Sequence, residues 1–205
     1  MSDPQLPPDY FDKMYAAQSD PWDFETRWYE KRKYALTTAM LPKPRYRSAF
    51  EPGCSIGVLT KMLADRCDAV IATDIVPSAL ETARRRLSGY NVEFREWALG
   101  DDTWPDATFD LIVLSEIGYY LSIEKLTEAM GRTVEHLEPG GTLVCAHWRH
   151  IVPEYPQAGD GVHSLVRQTP GLAQLATYQD EDVVIDVLVK DSRQPQSVAR
   201  AEGLV

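Results

Sequence analysis

The residues best suited to chemistry lie in one small-residue turn near position 53. A short apolar run, residues 49–50, leads into Glu51, and apolar residues within 58–63 then fall on one face of a helix. The pattern predicts a strand, a tight turn and a helix. Gly53 and Gly57 permit positive φ and a close approach of ligand to backbone. The new helix directs its free N–H groups at whatever lies above the turn. Such turns bind nucleotide-like cofactors at the carboxyl edge of a parallel sheet.

The spacing within this turn separates two cofactor classes. A dinucleotide fingerprint requires G-x-G-x-x-G, but Ser55 and Val58 occupy its second and third glycine positions. The spacing instead fits acid-x-G-x-G-x-G and resembles the first motif of class I S-adenosylmethionine (SAM)-dependent methyltransferases. A carboxylate at the strand end suits the cationic sulfonium and ammonium of SAM and would repel a pyrophosphate. We expect the following turn residues to bind this cofactor: Glu51, Gly53, Cys54, Ser55 and Gly57.

Two later strands are expected to complete the cofactor site. Residues 69–74 form an apolar run that ends at Asp74, about where a doubly wound domain places a carboxylate for ribose hydroxyls. An ordinary surface Asp is the alternative. Residues 92–97 are predicted to be the third strand, after which this fold holds adenine. We expect the ribose and adenine contacts to come from Asp74, Ile75, Trp97, Ala98 and Leu99, with backbone amides at Ala98 or Leu99.

A third acid, Glu116, ends the predicted fourth strand, residues 109–116. In this topology the first and fourth strands flank the switch point, so their carboxyl ends face one crevice. We expect Ser115 to touch the cofactor and the transferred group to lie near Glu116, Tyr119 and Tyr120. Helix packing is the alternative for the two tyrosines.

Histidines lie at the end of the predicted fifth strand, residues 142–148, and beyond it, where loops carry specificity. His147 and His163 are candidates for a direct role, and a surface or hydrogen-bonded core histidine is the alternative for each. An amine acceptor must be neutral when it attacks a methyl group, so a carboxylate or imidazole nearby would take its proton. The candidates for this base are Glu116, His147 and His163, with Tyr119 or Tyr120 orienting the acceptor.

The N-terminal part is unusually aromatic and charged. Helices are predicted over about 9–18 and 24–41, with a turn at Asp20-Pro21 between them. One interpretation is a helix pair that covers a sheet edge. The other is a lid that excludes water from the site. In the second case Trp22 and either Arg32 or Tyr34 reach the methionine end of the cofactor, and the rings of Trp22, Tyr29 and Tyr34 shield the sulfonium through cation–π contact.

The element pattern predicts an α/β, Rossmann-like class I methyltransferase fold. Its seven-stranded, mostly parallel sheet has helices on both faces and an antiparallel hairpin at the C-terminus. We divide the chain into an N-terminal helical lid or cap (1–45), a SAM-dependent methyltransferase domain (46–190) and a tail (191–205). The remaining predicted elements are a loose arm over 1–8, helices over 77–87, 123–137 and 162–169, a turn over 138–141, and hairpin strands over 174–178 and 183–190.

Composition narrows the possible partners. The 205 residues form one domain with a formal net charge of -10, which argues against nucleic acid or an anionic membrane surface. No apolar run approaches a membrane span, so the cytoplasm is expected. Three widely spaced cysteines, with neither C-x-x-C nor H-E-x-x-H, indicate no disulfide framework and no metal site. We expect a monomer or homodimer.

Several motifs occur together in a fixed order. They are Asp20-Pro21-Trp22-Asp23-Phe24, Tyr29-Glu30-x-x-Lys33-Tyr34, the turn at 51–60, Trp104-Pro105, Leu114-Ser115-Glu116-x-x-Tyr119-Tyr120, His147-Trp148-Arg149 and Gly159-Asp160-x-x-His163. Over about residues 10–190 this set resembles the nodulation protein S (NodS) family of SAM-dependent N-methyltransferases. The resemblance implies methylation of an amino group on an amino sugar or de-N-acetylated glucosamine oligosaccharide.

Three other functions stay open. A small-molecule O-methyltransferase would use the same cofactor site and differ only in its acceptor pocket. A nicotinamide enzyme is disfavoured by the missing third glycine. A non-catalytic SAM-binding regulatory protein would keep Glu51 and Asp74 but would need neither a base nor a deep pocket.

Overall fold

The computed structural model describes Leu6, residues 9–190 and residues 195–205. Most of the expected N-terminal arm and residues 191–194 of the expected tail lie outside this part. The strands are β1 (Tyr46–Pro52), β2 (Cys67–Asp74), β3 (Val92–Glu96), β4 (Phe109–Ser115), β5 (Leu137–Trp148), β6 (Leu172–Gln179) and β7 (Val183–Lys190). The helices are α1 (Tyr10–Ala17), α2 (Trp28–Ala39), α3 (Val58–Ala64), α4 (Pro77–Arg86), α5 (Ile123–His136), α6 (Gly159–Arg167) and α7 (Val198–Ala201).

The seven strands form one sheet in the order β3-β2-β1-β4-β5-β7-β6. Strands β1 to β5 pair in parallel, and β7 runs antiparallel to both of its neighbours. β1 lies between β2 and β4, which makes the gap between β1 and β4 the topological switch point. The predicted fold class is therefore confirmed, including the antiparallel C-terminal hairpin.

Alternate residues of the strands pack on opposite faces of the sheet, as the two-residue period of a strand requires. Ala49 and Val113 belong to the core that also contains apolar residues of α2, α3 and α4. Phe50 and Ile112 belong to a second core with residues of α5 and α6. Helices therefore cover both faces, and the strands between them are apolar on both sides, as expected of a parallel sheet.

The starts of α2, β5 and α6 differ by three or more residues from the sequence prediction. α2 begins at Trp28 rather than near residue 24 because Asp20 accepts hydrogen bonds from Phe24 N and Glu25 N and holds this stretch as a turn. β5 begins at Leu137 and includes the whole of the predicted turn at 138–141, since Leu137 already pairs with Phe109. α6 begins at Gly159, where a Cβ would lie 2.1 Å from Trp148 O.

The predicted tail also contains an ordered segment. A single helical turn, α7, lies in it, and the Ser197 side chain accepts a hydrogen bond from Arg200 N at its start. No helix within residues 9–190 and 195–205 is long and apolar enough to cross a membrane.

Gly57 joins the small-residue turn to α3 and lets α3 and α4 approach each other. Its φ is +78°, and a Cβ there would lie 2.8 Å from Leu87 Cδ1 and 3.3 Å from Ala83 Cα. An alanine would therefore meet both backbone strain and overpacking. This glycine serves the contact between two helices.

We expect Gly57→Ala to lower the free energy of unfolding by about 2–4 kcal/mol, the sum of a left-handed alanine and an overpacked contact. Urea denaturation measures the change. Gly89→Ala is the matched control, because Gly89 also has positive φ but no other atom lies within 4 Å of the position that its Cβ would take. Equal losses for the two variants would contradict the packing role of Gly57.

Candidate active site

A cavity of about 500 Å³ opens at the carboxyl edge of the sheet. Residues after the ends of β1 to β5 form its floor, and residues from α1, α2 and their connection form its roof. The volume lies within the range of small-molecule sites, and the position is the switch point of an open α/β sheet.

The small-residue turn forms one end of the floor. Gly53 and Ser55 have positive φ, 72° and 51°, and both line the cavity. Cys54 N donates to Thr73 O at 2.8 Å, and Ser55 N donates to Asp74 Oδ2 at 2.8 Å. A Cβ at Gly53 would lie 2.3 Å from Ile117 Cγ2, so the turn sits directly against the segment after β4.

Glu51 places a carboxyl group in the cavity wall with part of its bonding capacity unused. It is 2% exposed, and Oε2 has no hydrogen-bond partner among the described residues. Burial raises the pKa of Glu51 to about 8, although the neighbouring Thr60 hydroxyl acts in the opposite direction. A buried carboxyl group without a cation is expensive, so the wall fits a ligand that supplies a positive group.

Asp74 ends β2 beside the turn. Its Oδ2 accepts from Ser55 N and its Oδ1 accepts from Val76 N at 3.0 Å. Burial raises the pKa of Asp74, although both backbone hydrogen bonds oppose the shift. Ile75 also lines the cavity and is partly exposed. Asp74 therefore organises the turn and still faces the cavity.

The segment after β3 forms the other end. Trp97, Ala98 and Leu99 all line the cavity, as predicted for adenine. Ala98 N, however, donates to Asp101 Oδ2 at 3.1 Å, so its amide is occupied in this structure. Trp97 Nε1 donates to Thr103 O at 2.5 Å. This end therefore presents mainly apolar surface.

Glu116 lies just beyond β4 with φ of 59°, a strained value for a non-glycine residue. Oε1 lies 2.7 Å from Lys33 Nζ, and Oε2 accepts from Tyr119 Oη at 2.5 Å and from Trp148 N at 2.9 Å. The predicted neighbour Ser115 also lines the cavity, and its Oγ has no partner in the described chain.

Lys33 is the cation that sequence reasoning left without a role. It is 2% exposed and lies between two carboxylates, with Nζ 2.8 Å from Glu30 Oε2 and 2.7 Å from Glu116 Oε1. The rings of Tyr29 and Tyr34 lie 5.3 Å and 5.1 Å from Nζ, within cation–π range. The pKa of Lys33 is raised: its burial acts against this shift, but the two carboxylates outweigh it.

Aromatic side chains build the roof. Tyr15 of α1 shares a hydrogen bond with Ser55 Oγ in the turn. Trp22 contacts the Tyr15 ring edge-on at 5.7 Å and stacks on Phe24 at 5.5 Å. Trp22, Tyr29 and Tyr34 all line the cavity, as the lid interpretation requires. Phe11 also lines it and meets Tyr120 edge-on at 4.9 Å.

Two predicted cofactor residues lie elsewhere. Arg32 is absent from the cavity lining in the described chain, because its guanidinium binds Asp180 Oδ2 at 2.8 Å and Tyr178 Oη at 2.5 Å. Gly57 lies behind the turn, against α4. The helical period explains Arg32: Glu30, Lys33 and Tyr34 share one buried face, and Arg32 projects from another.

The two candidate histidines are buried and do not line the cavity in the described chain. Gly118 N donates to His147 Nε2 at 3.0 Å, and because an N–H can only donate, His147 carries its proton on Nδ1. That proton points to His163 Nε2 at 3.0 Å, and His163 Nδ1 in turn lies 2.7 Å from Asp186 Oδ2.

This chain of hydrogen bonds fixes the segment that carries Glu116 and Tyr119. Burial, with smaller contributions from His163 and Lys33, lowers the pKa of His147 well below its ordinary value, so the ring is neutral. The lone pair on His147 Nε2 already accepts the hydrogen bond from Gly118 N. The structure therefore places the histidines as supports of the site, since neither ring reaches the cavity.

We expect His147→Leu to lower the free energy of unfolding by at least about 1–3 kcal/mol, because Gly118 N–H would be buried without an acceptor. Chemical denaturation at pH 7 measures the loss. His150→Leu is the control, since His150 pairs with Asp182 at the surface and should change stability by less than about 1 kcal/mol. An equal effect of both variants would refute the supporting role.

The chain resembles known proteins in sequence. The chain matches the family described as nodulation protein S (NodS) over residues 9–161. It is 31% identical over 147 residues to nodulation protein S of Rhizobium tropici, a match that covers 66% of this chain and 61% of that protein. The corresponding match in Bradyrhizobium diazoefficiens is 32% identical over 146 residues and covers 65% of this chain and 69% of the relative.

Solved structures show the same fold. A protein from Pseudomonas syringae described as a methyltransferase is 36% identical, with a TM-score of 0.68, over 80% of this chain and 99% of that one. The N-methyltransferase NodS from Bradyrhizobium japonicum WM9, solved with S-adenosyl-L-homocysteine, has a TM-score of 0.80 at 23% identity. The match covers 88% of this chain and 96% of that one. The predicted cofactor is confirmed by these findings, and the chain belongs to the nodulation protein S family of SAM-dependent methyltransferases.

Proposed function

We propose that this chain N-methylates an amino sugar or a de-N-acetylated oligosaccharide. The observation that carries the proposal is the charge of the cavity. Its described lining residues include four carboxyl groups and two cations, the buried Lys33 and the exposed Arg27, whose guanidinium pairs with Asp23. The carboxyl groups belong to Glu30, Glu51, Asp74 and Glu116. Such a wall favours cationic ligands, which both a sulfonium cofactor and an amine are.

The turn residues and the ends of β2 and β3 are proposed to hold SAM, which supplies an activated methyl group. Glu51 would bind its ammonium group, because Oε2 is buried and unpartnered. Asp74 would bind the ribose hydroxyls, and the apolar surface at Trp97 to Leu99 would bind adenine. Backbone of Gly53, Cys54 and Ser55, with Ile75 and Ser115, would complete the contact surface.

The acceptor is proposed to enter past Tyr29 and Trp148, whose rings meet edge-on at 5.0 Å. Tyr155 stacks on Tyr119 at 5.1 Å and extends the aromatic wall. Aromatic rings present flat apolar surface of the kind that packs against the C–H faces of a sugar ring. The acidic groups near Lys33 would then meet the amino group.

The N-terminal segment, residues 1–45, is proposed to act as the lid. The described helices α1 and α2 supply the roof, and Tyr15, Trp22 and Tyr34 stand over the turn. A roof of this kind excludes water and strengthens electrostatic interactions below it.

We also propose that the protein acts in the cytoplasm, where its buried cysteines, Cys54, Cys67 and Cys145, stay reduced.

Incubation with SAM and a glucosamine oligomer bearing one free amine tests the activity. We expect one methyl group on the amino nitrogen, located by tandem mass spectrometry, and no product from the fully N-acetylated oligomer. Methylation of the acetylated oligomer would indicate an O-methyltransferase instead. Tight S-adenosylhomocysteine binding without turnover of any acceptor would favour a regulatory protein.

Cofactor affinity should depend on pH through Glu51. In the free protein its pKa of about 8 leaves the carboxyl largely protonated at neutral pH, whereas a ligand ammonium binds the carboxylate. Affinity for S-adenosylhomocysteine should therefore weaken as pH falls from 8 to 6, by up to about tenfold per pH unit. Isothermal titration calorimetry measures this slope.

Glu51→Gln should weaken binding at pH 8 by about 10–100-fold, the loss of one charge-assisted hydrogen bond, and should flatten the slope. Glu154→Gln, an exposed acid outside the cavity lining, should leave both unchanged. Wild-type affinity in Glu51→Gln would show that the ammonium group lies elsewhere.

A further inference from the structure

An amine acceptor reaches the enzyme with a proton to lose. An ammonium group, such as that of lysine with its pKa of about 10, carries no lone pair until it deprotonates. A base in the cavity must therefore take this proton, if the proposed N-methylation holds. The base has to line the cavity and has to keep an oxygen or nitrogen atom free for the amine.

None of the three bases named from the sequence meets both conditions. His147 and His163 are buried behind the floor, outside the described lining. Glu116 lines the cavity, but Lys33, Tyr119 and Trp148 N already bind its two oxygens. A carboxylate that already accepts hydrogen bonds from three donors has little capacity left to accept a proton from an amine.

Glu30 meets both conditions. It lines the cavity from α2 and is 6% exposed. Lys33 Nζ lies 2.8 Å from Oε2, yet no donor in the described chain makes a well-directed hydrogen bond to that atom. Lys33 is shared with Glu116, so Glu30 receives only part of its charge. The other titratable groups facing Glu30 are the phenols of Tyr29 and Tyr34 and the carboxylate of Glu116.

The charges around Glu30 favour transfer of a proton from an amine to this residue. Burial, with a smaller contribution from Glu116, raises the pKa of Glu30 although Lys33 and the Tyr34 hydroxyl act in the opposite direction, so its carboxylate is a stronger base than an exposed one. The fixed ammonium of Lys33 repels a second positive charge, which favours the neutral form of an amine bound beside it. Both effects bring the pKa of the bound ammonium group closer to the pKa of the Glu30 carboxyl group, as general base catalysis requires.

We propose that Glu30 is the catalytic base that deprotonates the acceptor amine, with Lys33 as the positioning residue that holds it beside Glu116. An N–H bond of the ammonium breaks, its electron pair stays on nitrogen, and the proton bonds to a Glu30 oxygen. The nitrogen pair then forms the N–C bond to the methyl group as the C–S bond breaks and its pair passes to sulfur. The product leaves as a secondary ammonium, and Glu30 loses its proton to solvent.

The rate of methylation of a glucosamine oligomer with one free amine, measured against pH at saturating substrates, tests this step. In the wild type the rate should fall at low pH as Glu30 becomes protonated. Glu30→Gln should lower the maximal rate by about 100-fold or more and move the acid limb to the higher pH at which the bound ammonium itself deprotonates. Glu30→Asp should keep the acid limb at a reduced rate, and Glu154→Gln should match the wild type.

An infrared difference spectrum gives a readout that does not depend on turnover. When the same oligomer binds the complex with S-adenosylhomocysteine, the wild type should gain a protonated-carboxyl C=O band that Glu30→Gln lacks. Calorimetry with S-adenosylhomocysteine should give affinities within about threefold for both proteins, which shows that the variant is folded. If Glu30→Gln does not fold, the band should shift in Glu30→Asp, because the absorbing carboxyl has changed.

An unaltered acid limb and an unaltered band in the Glu30 variants would overturn the assignment while the wild type still methylates amines. A wild type that binds S-adenosylhomocysteine but methylates no amine would overturn the proposed function, and the assignment of Glu30 with it.

Discussion

A buried network of ion pairs connects helix α2 to the carboxyl edge of the sheet. Lys33 of α2 bridges Glu30 on its own helix and Glu116 beyond β4. Charges in such a place are tolerated only when paired, and removing one partner typically costs about 3–5 kcal/mol. These ion pairs therefore hold α2 over the floor of the cavity, and contacts between aromatic rings hold the rest of the roof. The chemistry proposed for the acceptor lies at this same point.

Backbone strain collects beside the network. Among the described residues, positive φ in non-glycine positions occurs at Asp23, Ser55 and Glu116, and the last two face the cavity. Strained residues persist where surrounding structure holds them, and they cluster at functional sites. Glu116 is held by three donors, and the segment after it is held by the hydrogen bond from Gly118 N to His147. The buried chain from His147 to Asp186 thus supports the site from beneath.

The sequence was sufficient to place two acids and the small-residue turn at one edge of the sheet, where they line the cavity. Acids at the ends of β1 and β2, separated by a glycine-containing turn, could be placed because strand ends of a parallel sheet share one edge. It was also sufficient for Glu116 and the two tyrosines, whose position follows from the order of β1 and β4. These inferences depend on the order of the strands in the sheet, which could be predicted from the apolar segments of the sequence.

The histidines and the N-terminal helix were harder to place. Burial of His147 and His163 depends on the packing of α6 against β5, and His147 lies on a strand whose residues are buried on both faces. Arg32 was named in place of Lys33, although the spacing of Glu30, Lys33, Tyr34 and Thr37 marks the buried face of α2. A lysine on that face is costly without carboxylates, and its partner Glu116 is distant in sequence, so only the fold shows the pairing.

A crystal structure of the complex with S-adenosylhomocysteine and a glucosamine oligomer bearing one free amine tests the central claim most directly. The account predicts the cofactor ammonium beside Glu51, the ribose at Asp74 and the sugar amine within hydrogen-bond distance of Glu30. A cofactor bound away from the turn at Gly53, or a sugar amine held outside the space between α2 and the end of β4, would contradict it.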